Sequence, residues 1–428
     1  MILKFRFSNY KKLLYKEFSI QILEKIFRII FGFIIISQLS DYLGPEEYGS
    51  LLFIESNYIL FLGISGFGLA PNIIKYFSQR KIGYKKYIFN ALVLSILCSF
   101  IGFISINVWA LSLKDFPLSN YFYPVSFLIL FNPIYFIEYY FNSLNKIRII
   151  SGIRLIAYLF CFVLKIYAIN QKLSFEIFIY ILIIEAVLVY FLLLISVLKK
   201  GILFKSDFNF EKITFFEIFR SSLFIFLYGL GVNLFYRIDI LMIQKFLSLE
   251  DLGNYTASYK IISFGYVLPV IFSETFFPRI LKTNENDIET IKKMYFFSFW
   301  VSVFIFLFVY LSGDFIINSI FNFKYQYVSD LFKISCFVLI IIGLSTTHVK
   351  VLYKNNLQQN LFYKILFGIF LSIFLNYLFI PIFGVYGVSY ATVIAIFVLE
   401  IFYDFFDIKL RNHHIIKLKS ILFFNPLK

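Results

Sequence analysis

Twelve apolar runs, most about twenty residues long, divide the chain. The first six fall at 17–39, 50–70, 87–110, 121–142, 151–170 and 175–198. The second six fall at 215–246, 254–278, 294–317, 328–349, 361–381 and 386–408. A run of about 20 apolar residues is the length of a helix that crosses the hydrocarbon of a bilayer. The runs are continuous and do not alternate every second residue, so the pattern predicts helices and not the strands of a membrane barrel. The predicted fold class is an all-α integral membrane protein of about twelve transmembrane helices.

Between the runs, basic residues gather on alternate loops. One side carries Lys4, Arg6, Lys11, Lys12 and Lys16, then Lys75, Arg80, Lys81, Lys85 and Lys86, then Lys146, Arg148 and Arg154. It continues with Lys199, Lys200, Lys205, Lys212 and Arg220, with Arg279, Lys282, Lys292 and Lys293, with Lys350, Lys354 and Lys364, and with Lys409, Arg411, Lys417, Lys419 and Lys428. The opposite side has scattered examples such as Lys114, Lys172 and Lys324. By the positive-inside rule both termini are cytoplasmic, which requires an even number of spans. The basic start "MILKFRFSNYKKLLYKEF" has no small-residue cleavage site and reads as a lead-in to a retained helix.

Composition agrees with this reading. The 428 residues are 60% hydrophobic and only 15% charged, too apolar for a soluble chain. The formal charge of +15 is spread over many loops as a topology signal, which argues against a nucleic-acid partner. Cys98, Cys161 and Cys336 lie in apolar runs, so neither a disulfide framework nor a cysteine metal site is indicated. His348, His413 and His414 have no metal-ligand spacing, and no catalytic constellation or cofactor motif is found. No loop is long enough to fold alone, so any chemistry takes place within the helices.

The halves of the chain repeat. "LGPEEYG" at 43–49 and "LSLEDLG" at 247–253 coincide on a shift of 204 residues, which places Leu43 on Leu247, Glu46 on Glu250, Glu47 on Asp251 and Gly49 on Gly253. The same shift places Lys75 on Arg279. Six spans separate the copies, so both have the same orientation in the membrane. This predicts two six-helix lobes, residues 1–200 and 201–428, around a central cavity.

Charges inside the runs are the candidate chemistry, because a charge at mid-bilayer costs several kcal/mol unless it faces the bundle interior, a partner or water. In "ILEKIFRIIFGFII", Lys25, Arg28 and Gly32 share one helical face, and Glu24 is placed to neutralise Arg28 locally. Arg237 and Asp239, in "YRIDILMIQKFLSLEDLGNY" at 236–255, point to opposite sides of their helix. A hairpin centred on residues 249–250 sets Asp239 level with Lys260, and we expect a bridge there that leaves Arg237 free. Gly229 and Gly231 allow a bend before Arg237, and Pro133 and Pro269 mark other breaks. Glu138, Glu185, Glu274 and Glu400 are the deep acids, each either paired with a base or available for coupling to an ion gradient.

"LGPEEYG", "GISGFGLAPNIIKYFS" (63–78), "YRIDILMIQKFLSLEDLGNYTASYKI" followed by "FPRI" (277–280), and "LFIPIFGVYGVSYATVIA" (378–395) together resemble the Wzx-type polysaccharide flippases. These belong to the MOP superfamily, with the MATE drug exporters and the lipid II flippases, and the resemblance covers nearly the whole chain. It implies two lobes, a V-shaped cavity and alternating access. The implied substrates are oligosaccharide repeat units on undecaprenyl pyrophosphate, moved from the cytoplasmic to the outer leaflet of a bacterial inner membrane. Polysaccharide polymerase machinery is an implied further partner, and H+ or Na+ the implied coupling ion.

On that basis Arg28, Arg237, Lys25 and Lys260 are the expected substrate-binding residues. Asp239, Glu185, Glu138 and Glu24 are expected as coupling groups or structural ion pairs, and Gly229 and Gly231 as hinges. The second half offers few bases beyond Arg237 and Lys260, fewer than the family often carries. The competing readings are a cation-coupled drug exporter or lipid II flippase on the same fold, and a membrane polysaccharide polymerase or ligase. A basic cavity argues against cationic drugs, and short outer loops argue against the enzyme.

Overall fold

The computed structural model describes residues 2–79, 84–113, 119–144, 146–198, 209–273, 288–321, 325 and 327–422. Among these residues the regular structure is helix throughout, with no strand. Among the described residues eight helices are long and apolar enough to cross a membrane, or up to ten if each of two bent pairs is one span, against the twelve expected. The expected runs at 17–39 and 50–70 are arms of a single element, α1 (Ile2–Gly66), kinked at Gly44. There φ is +72°, a left-handed conformation that glycine adopts without a Cβ clash, and Pro45 follows it. The "FPRI" motif and Glu274 lie outside the described residues.

Proline explains two breaks. Helices α4 (Phe122–Leu130) and α5 (Phe136–Ser143) are separated by a 3-10 turn over Asn132–Tyr135, and the pair bends by 42°. Pro133 sits in that turn. Further on, α10 (Leu249–Gly265) stops at Tyr266, three residues before Pro269. Proline lacks the N–H that the carbonyl of Gly265 would otherwise receive. The remaining elements are α2 (Ala70–Gln79), α3 (Tyr84–Ser112), α6 (Ile147–Asn170), α7 (Phe175–Leu198), α8 (Lys212–Phe235) and α9 (Ile238–Phe246). After them come α11 (Ile288–Ile320), α12 (Val328–Ser335), α13 (Val338–Lys354), α14 (Gln358–Phe383), α15 (Val385–Phe397), a π-helical turn over Val398–Phe402, α16 (Tyr403–Phe406) and α17 (Ile408–Leu422).

Two compact units emerge, and their boundaries differ from the expected cut at 200/201. The first comprises Met1–Gln38 and Ile54–Leu230, the second Leu39–Phe53 and Gly231–Lys428. The first unit keeps most of α8 because that helix packs on the end of α1. Phe67 stacks on Phe226 with centroids 4.5 Å apart, and Asn72 donates to Ser222 at 3.0 Å. Gly68, at φ +61°, brings its backbone so close to residues 225 and 226 that a Cβ would lie 2.7 Å from the Phe226 nitrogen. The "GISGFGLAP" motif is therefore a turn built for close backbone approach.

The second unit draws in residues 39–53 through the repeated hairpins themselves. A Cβ on Gly49 would lie 2.6 Å from the Gly253 nitrogen, and one on Gly253 only 1.9 Å from the Pro45 carbonyl oxygen. The equivalent glycines of the two copies thus meet each other. Tyr325 adds a hydrogen bond to the Ser40 carbonyl at 3.1 Å. The second hairpin is also capped: the Ser248 hydroxyl accepts from the Asp251 N–H at 3.0 Å, and Asp251 accepts from the Ser248 N–H at 3.2 Å. This reciprocal box explains the serine and the acid of "LSLEDLG" by local structure.

Gly253→Ala is expected to force the hairpins apart and cost about 1–3 kcal/mol, the usual penalty of overpacking. Gly152→Ala, in α6 with open space around it, should be neutral or stabilising. Thermal unfolding of the detergent-purified variants checks the contrast.

Candidate functional site

In the first unit, four helices bring charged side chains together. Arg28 comes from α1, Glu138 from α5, Arg154 and Lys165 from α6, and Glu185 from α7. The Arg28 guanidinium lies between two carboxylates, 3.4 Å from Glu24 and 3.7 Å from Glu185. Glu185 also meets Lys165 at 3.7 Å. Tyr158 lies under Arg28 with its ring centroid 5.0 Å from the guanidinium carbon, a cation–π distance. Lys25 is half-buried beside Glu24.

The pairs divide into tight and loose. Arg154 donates a short hydrogen bond to Glu138, a deep carboxylate fixed by its base. Arg28 is held loosely: its contacts are longer than the 2.7–2.9 Å of a strong charge-assisted hydrogen bond, and its Nε has no hydrogen-bond partner. Two of the bases stand outside their acids, whereas Lys165, at 19% exposed, lies deeper than Glu185 at 26%. The Arg28 side chain is 37% exposed against 7% for Glu24, and Arg154 41% against 9% for Glu138. With Lys25 and Lys165 included, four bases face three carboxylates. At Arg28 and Arg154 the cation is the more accessible partner.

Sequence reading grouped Arg28 with Glu24 and did not foresee Glu185, Lys165 or Tyr158 beside it. Arg154, read as a loop residue of the topology signal, is instead inside α6 and neutralises Glu138. Its separation from Glu138, 16 residues and across the turn between α5 and α6, gave no periodic clue.

The second unit corrects the pairing expected there. Asp239 does not bridge to Lys260. Its carboxylate accepts from the Tyr255 hydroxyl at 2.7 Å, the Thr392 hydroxyl at 2.7 Å and the Asn376 amide at 3.2 Å. Tyr255 comes one helical turn earlier on α10 than Lys260, and it reaches Asp239 first. Asp239 is buried, with neutral donors in place of a cation, and the neighbouring Asn376 Oδ1 has no hydrogen-bond partner. Lys260 is half-buried on α10.

Arg237 is not free either. It stands in the break between α8 and α9, where its Nη1 donates to the Asn233 carbonyl at 3.2 Å and to the Asn233 side chain at 3.3 Å. A cation there favours the carbonyl end of α8. The expected bend at Gly229 and Gly231 is displaced to this same break, because α8 runs unbroken through both glycines. Gly231 serves close packing: a Cβ would lie 2.7 Å from Ile365.

The sequence profile of the family described as "Polysaccharide biosynthesis protein" matches residues 14–284. No curated protein sequence matches the chain. Among solved structures, the lipid II flippase MurJ in an inward closed conformation aligns with a TM-score of 0.69 at 14% identity, over 94% of this chain and 90% of that one. An inward-facing multidrug resistance MATE transporter of the MOP superfamily aligns with a TM-score of 0.66 at 13% identity, over 93% and 95%. A MOP superfamily transporter from Pyrococcus furiosus, described as having a binding pocket of reverse polarity, aligns at 0.56 and 15%, over 96% and 94%. At these identities the structures show a shared fold.

Arg154→Met leaves the buried Glu138 carboxylate without its donor, and about 1–3 kcal/mol of stability should be lost. Adding Glu138→Gln should restore most of it. Thermal melts of the single and double variants decide, and a single variant as stable as the parent would remove the pair from the framework.

Proposed function

We propose that this chain, which belongs to the polysaccharide biosynthesis protein family and is a multi-pass polysaccharide transporter of the MOP superfamily, flips lipid-linked oligosaccharide repeat units across its membrane. The substrate in this reading is an oligosaccharide on undecaprenyl pyrophosphate, carried from the cytoplasmic to the outer leaflet of a bacterial inner membrane with both termini cytoplasmic. It supplies polysaccharide polymerase machinery and is itself a transporter and not an enzyme.

The observation that carries the reading is the loosely held Arg28. A guanidinium already in a strong bidentate pair has nothing left for a ligand. Arg28 has an unbonded Nε, long contacts to two carboxylates and an exposed edge. Pyrophosphate oxygens can replace Glu185 with shorter, charge-assisted bonds, and Lys25 and Lys165 offer further positive charge. The polyprenyl chain stays in lipid. An anionic headgroup also separates this function from export of cationic drugs, which the exposed bases would repel. Lipid II shares the pyrophosphate and is the second reading; the sugar portion distinguishes them.

Alternating access fits a chain whose two compact units divide between Leu230 and Gly231, and the nearby break between α8 and α9 serves as the hinge. The ion gradient acts in this reading through Asp239. Its carboxylate, three neutral donors and the unbonded Asn376 Oδ1 form a dry, oxygen-rich pocket that a proton or small monovalent cation neutralises. Arg237 and Lys260 assist the headgroup in the second unit.

Purified protein in vesicles loaded with a fluorescent undecaprenyl-pyrophosphate-linked repeat unit should move label between leaflets. Arg28→Gln should slow transfer about ten- to a hundredfold, the loss expected for one charged hydrogen bond, without lowering abundance. Normal transfer by the variant takes Arg28 out of the site. Transfer of lipid II at the same rate, or of a cationic dye instead, favours the corresponding alternative. Asp239→Asn should keep the protein folded and abolish the acceleration that an imposed H+ or Na+ gradient gives the parent.

A further inference from the structure

A second set of charges lies in the second unit, away from Asp239, and is far more deeply buried than the Arg28 group. It gathers His348 from α13, Lys364 from α14, Glu400 from the π-helical turn, Asp404 from α16, and His414 and Lys417 from α17. Asp404 is the hub, with a side chain 0% exposed. Lys364 lies 3.0 Å from one of its oxygens, and Lys417 lies 3.0 Å from the other. His348 Nε2 and His414 Nδ1 approach the same carboxylate at 3.2 and 3.3 Å.

Glu400 takes Lys364 at 3.1 Å and the Ser345 hydroxyl at 3.0 Å. The π-helical turn displaces the backbone register around Glu400, and the Lys417 ammonium bonds its carbonyl oxygen at 2.7 Å. Such turns interrupt the regular ladder and often mark functional positions. On the far side of His348, Nδ1 meets the Tyr295 hydroxyl at 2.7 Å. Tyr236 and Tyr403 lie within electrostatic reach as neutral phenols.

The charges balance without the histidines. Lys364 and Lys417 neutralise Glu400 and Asp404, so both imidazoles are surplus as neutral groups. A neutral His348 ring that accepts from the Tyr295 hydroxyl at Nδ1 carries its proton on Nε2, the nitrogen nearer Asp404. His414 has a buried Nε2 with no hydrogen-bond partner. A proton added to either ring would make the cluster positive in a medium that penalises unpaired charge. Withdrawing Lys417, which carries His414 away with it, restores neutrality when the proton is on His348, with Lys364 and that imidazolium against the two carboxylates. Lys364 cannot leave as readily, since it is fixed within the long helix α14, whereas Lys417 is carried by the last described helix. That helix has exposed apolar residues at its entry, Phe406 at 84% and Ile408 at 87%, and exposed Lys409 and Arg411. It suits a membrane–water interface when it is not docked.

We propose that this cluster is a proton-binding site in which a proton on His348 competes with the Lys417 ammonium for Asp404, so that acidification undocks the helix Ile408–Leu422. The undocked state binds one proton more than the docked state, so its share rises as pH falls, by at most about tenfold per pH unit. In the orientation of the preceding section this is the cytoplasmic end of the second unit, and the latch responds to internal pH. The inference rests on that orientation only for which side it senses.

Hydrogen exchange of residues 408–422 in the purified full-length protein, corrected for intrinsic pH dependence, tests it between roughly pH 8 and 5.5. The parent should open progressively on acidification. Lys417→Met leaves the docked cluster one negative charge in excess, so this helix should be looser at neutral pH and tighten on acidification, a reversed sign. His348→Gln with His414→Gln should be flat. A flat parent, or a double variant that opens like the parent, overturns the proposal. Should the variants fail to fold, the parent still decides, because the chain has only three histidines. Imidazole nitrogen NMR, with His413→Gln to simplify assignment, must show His348 taking up a proton in step with opening; His348 remaining neutral overturns the proposal. None of these readouts uses transport, so a failed flippase assignment leaves the result interpretable.

Discussion

A charge surrounded by hydrocarbon must be neutralised or given donors, and the organisation of this protein follows from how each unit meets that demand. The helices supply their own backbone hydrogen bonds, so the remaining problem is the side chains. Three solutions coexist. Asp239 is satisfied by two hydroxyls and an amide with no cation, Glu138 by a single tight arginine, and Asp404 by two lysines flanked by two imidazoles. Each carries a different capacity for change. Neutral donors leave room for a small cation, a tight ion pair fixes a helix, and a charge-balanced hub with surplus imidazoles can exchange one positive partner for another.

The loosely paired Arg28 belongs to none of these. Its two carboxylates are too distant to satisfy it fully, and the acids lie deeper than the base. In the proposed reading, a site that binds and then releases a pyrophosphate benefits from this intermediate condition. An unpaired arginine would be costly in the empty state, and a tightly paired one would not open for the ligand. The competing carboxylates also offer a route to release, since they can reclaim the guanidinium when the headgroup leaves.

Backbone proximity does a comparable job at the turns. The repeated hairpins meet at Gly49 and Gly253, where a single methyl group would collide with main-chain atoms. Gly68 brings the end of α1 against α8 in the same way. These contacts, and not the loop at 199–214, decide where the two compact units divide. The expected cut at 200/201 comes from the spacing of the repeat, whereas packing follows the helices.

The sequence by itself determined the helical membrane class and the approximate position of most spans, and it pointed to the internal repeat, because hydrophobic length and turn chemistry are local properties. It also identified Arg28, Glu24 and Asp239 as charges that need an explanation. Their partners were a different matter. Pairing Asp239 with Lys260 assumed that opposite charges at matching depth attract, yet Tyr255, one turn nearer, and Asn376 and Thr392, more than a hundred residues away, reach it instead. Lys364 and Lys417 counted in sequence as loop charges, and His414 as an unremarkable histidine. Only the tertiary structure turned them inward around Asp404, because neutralising a buried carboxylate depends on which helices converge on it, and that convergence has no signature along the chain.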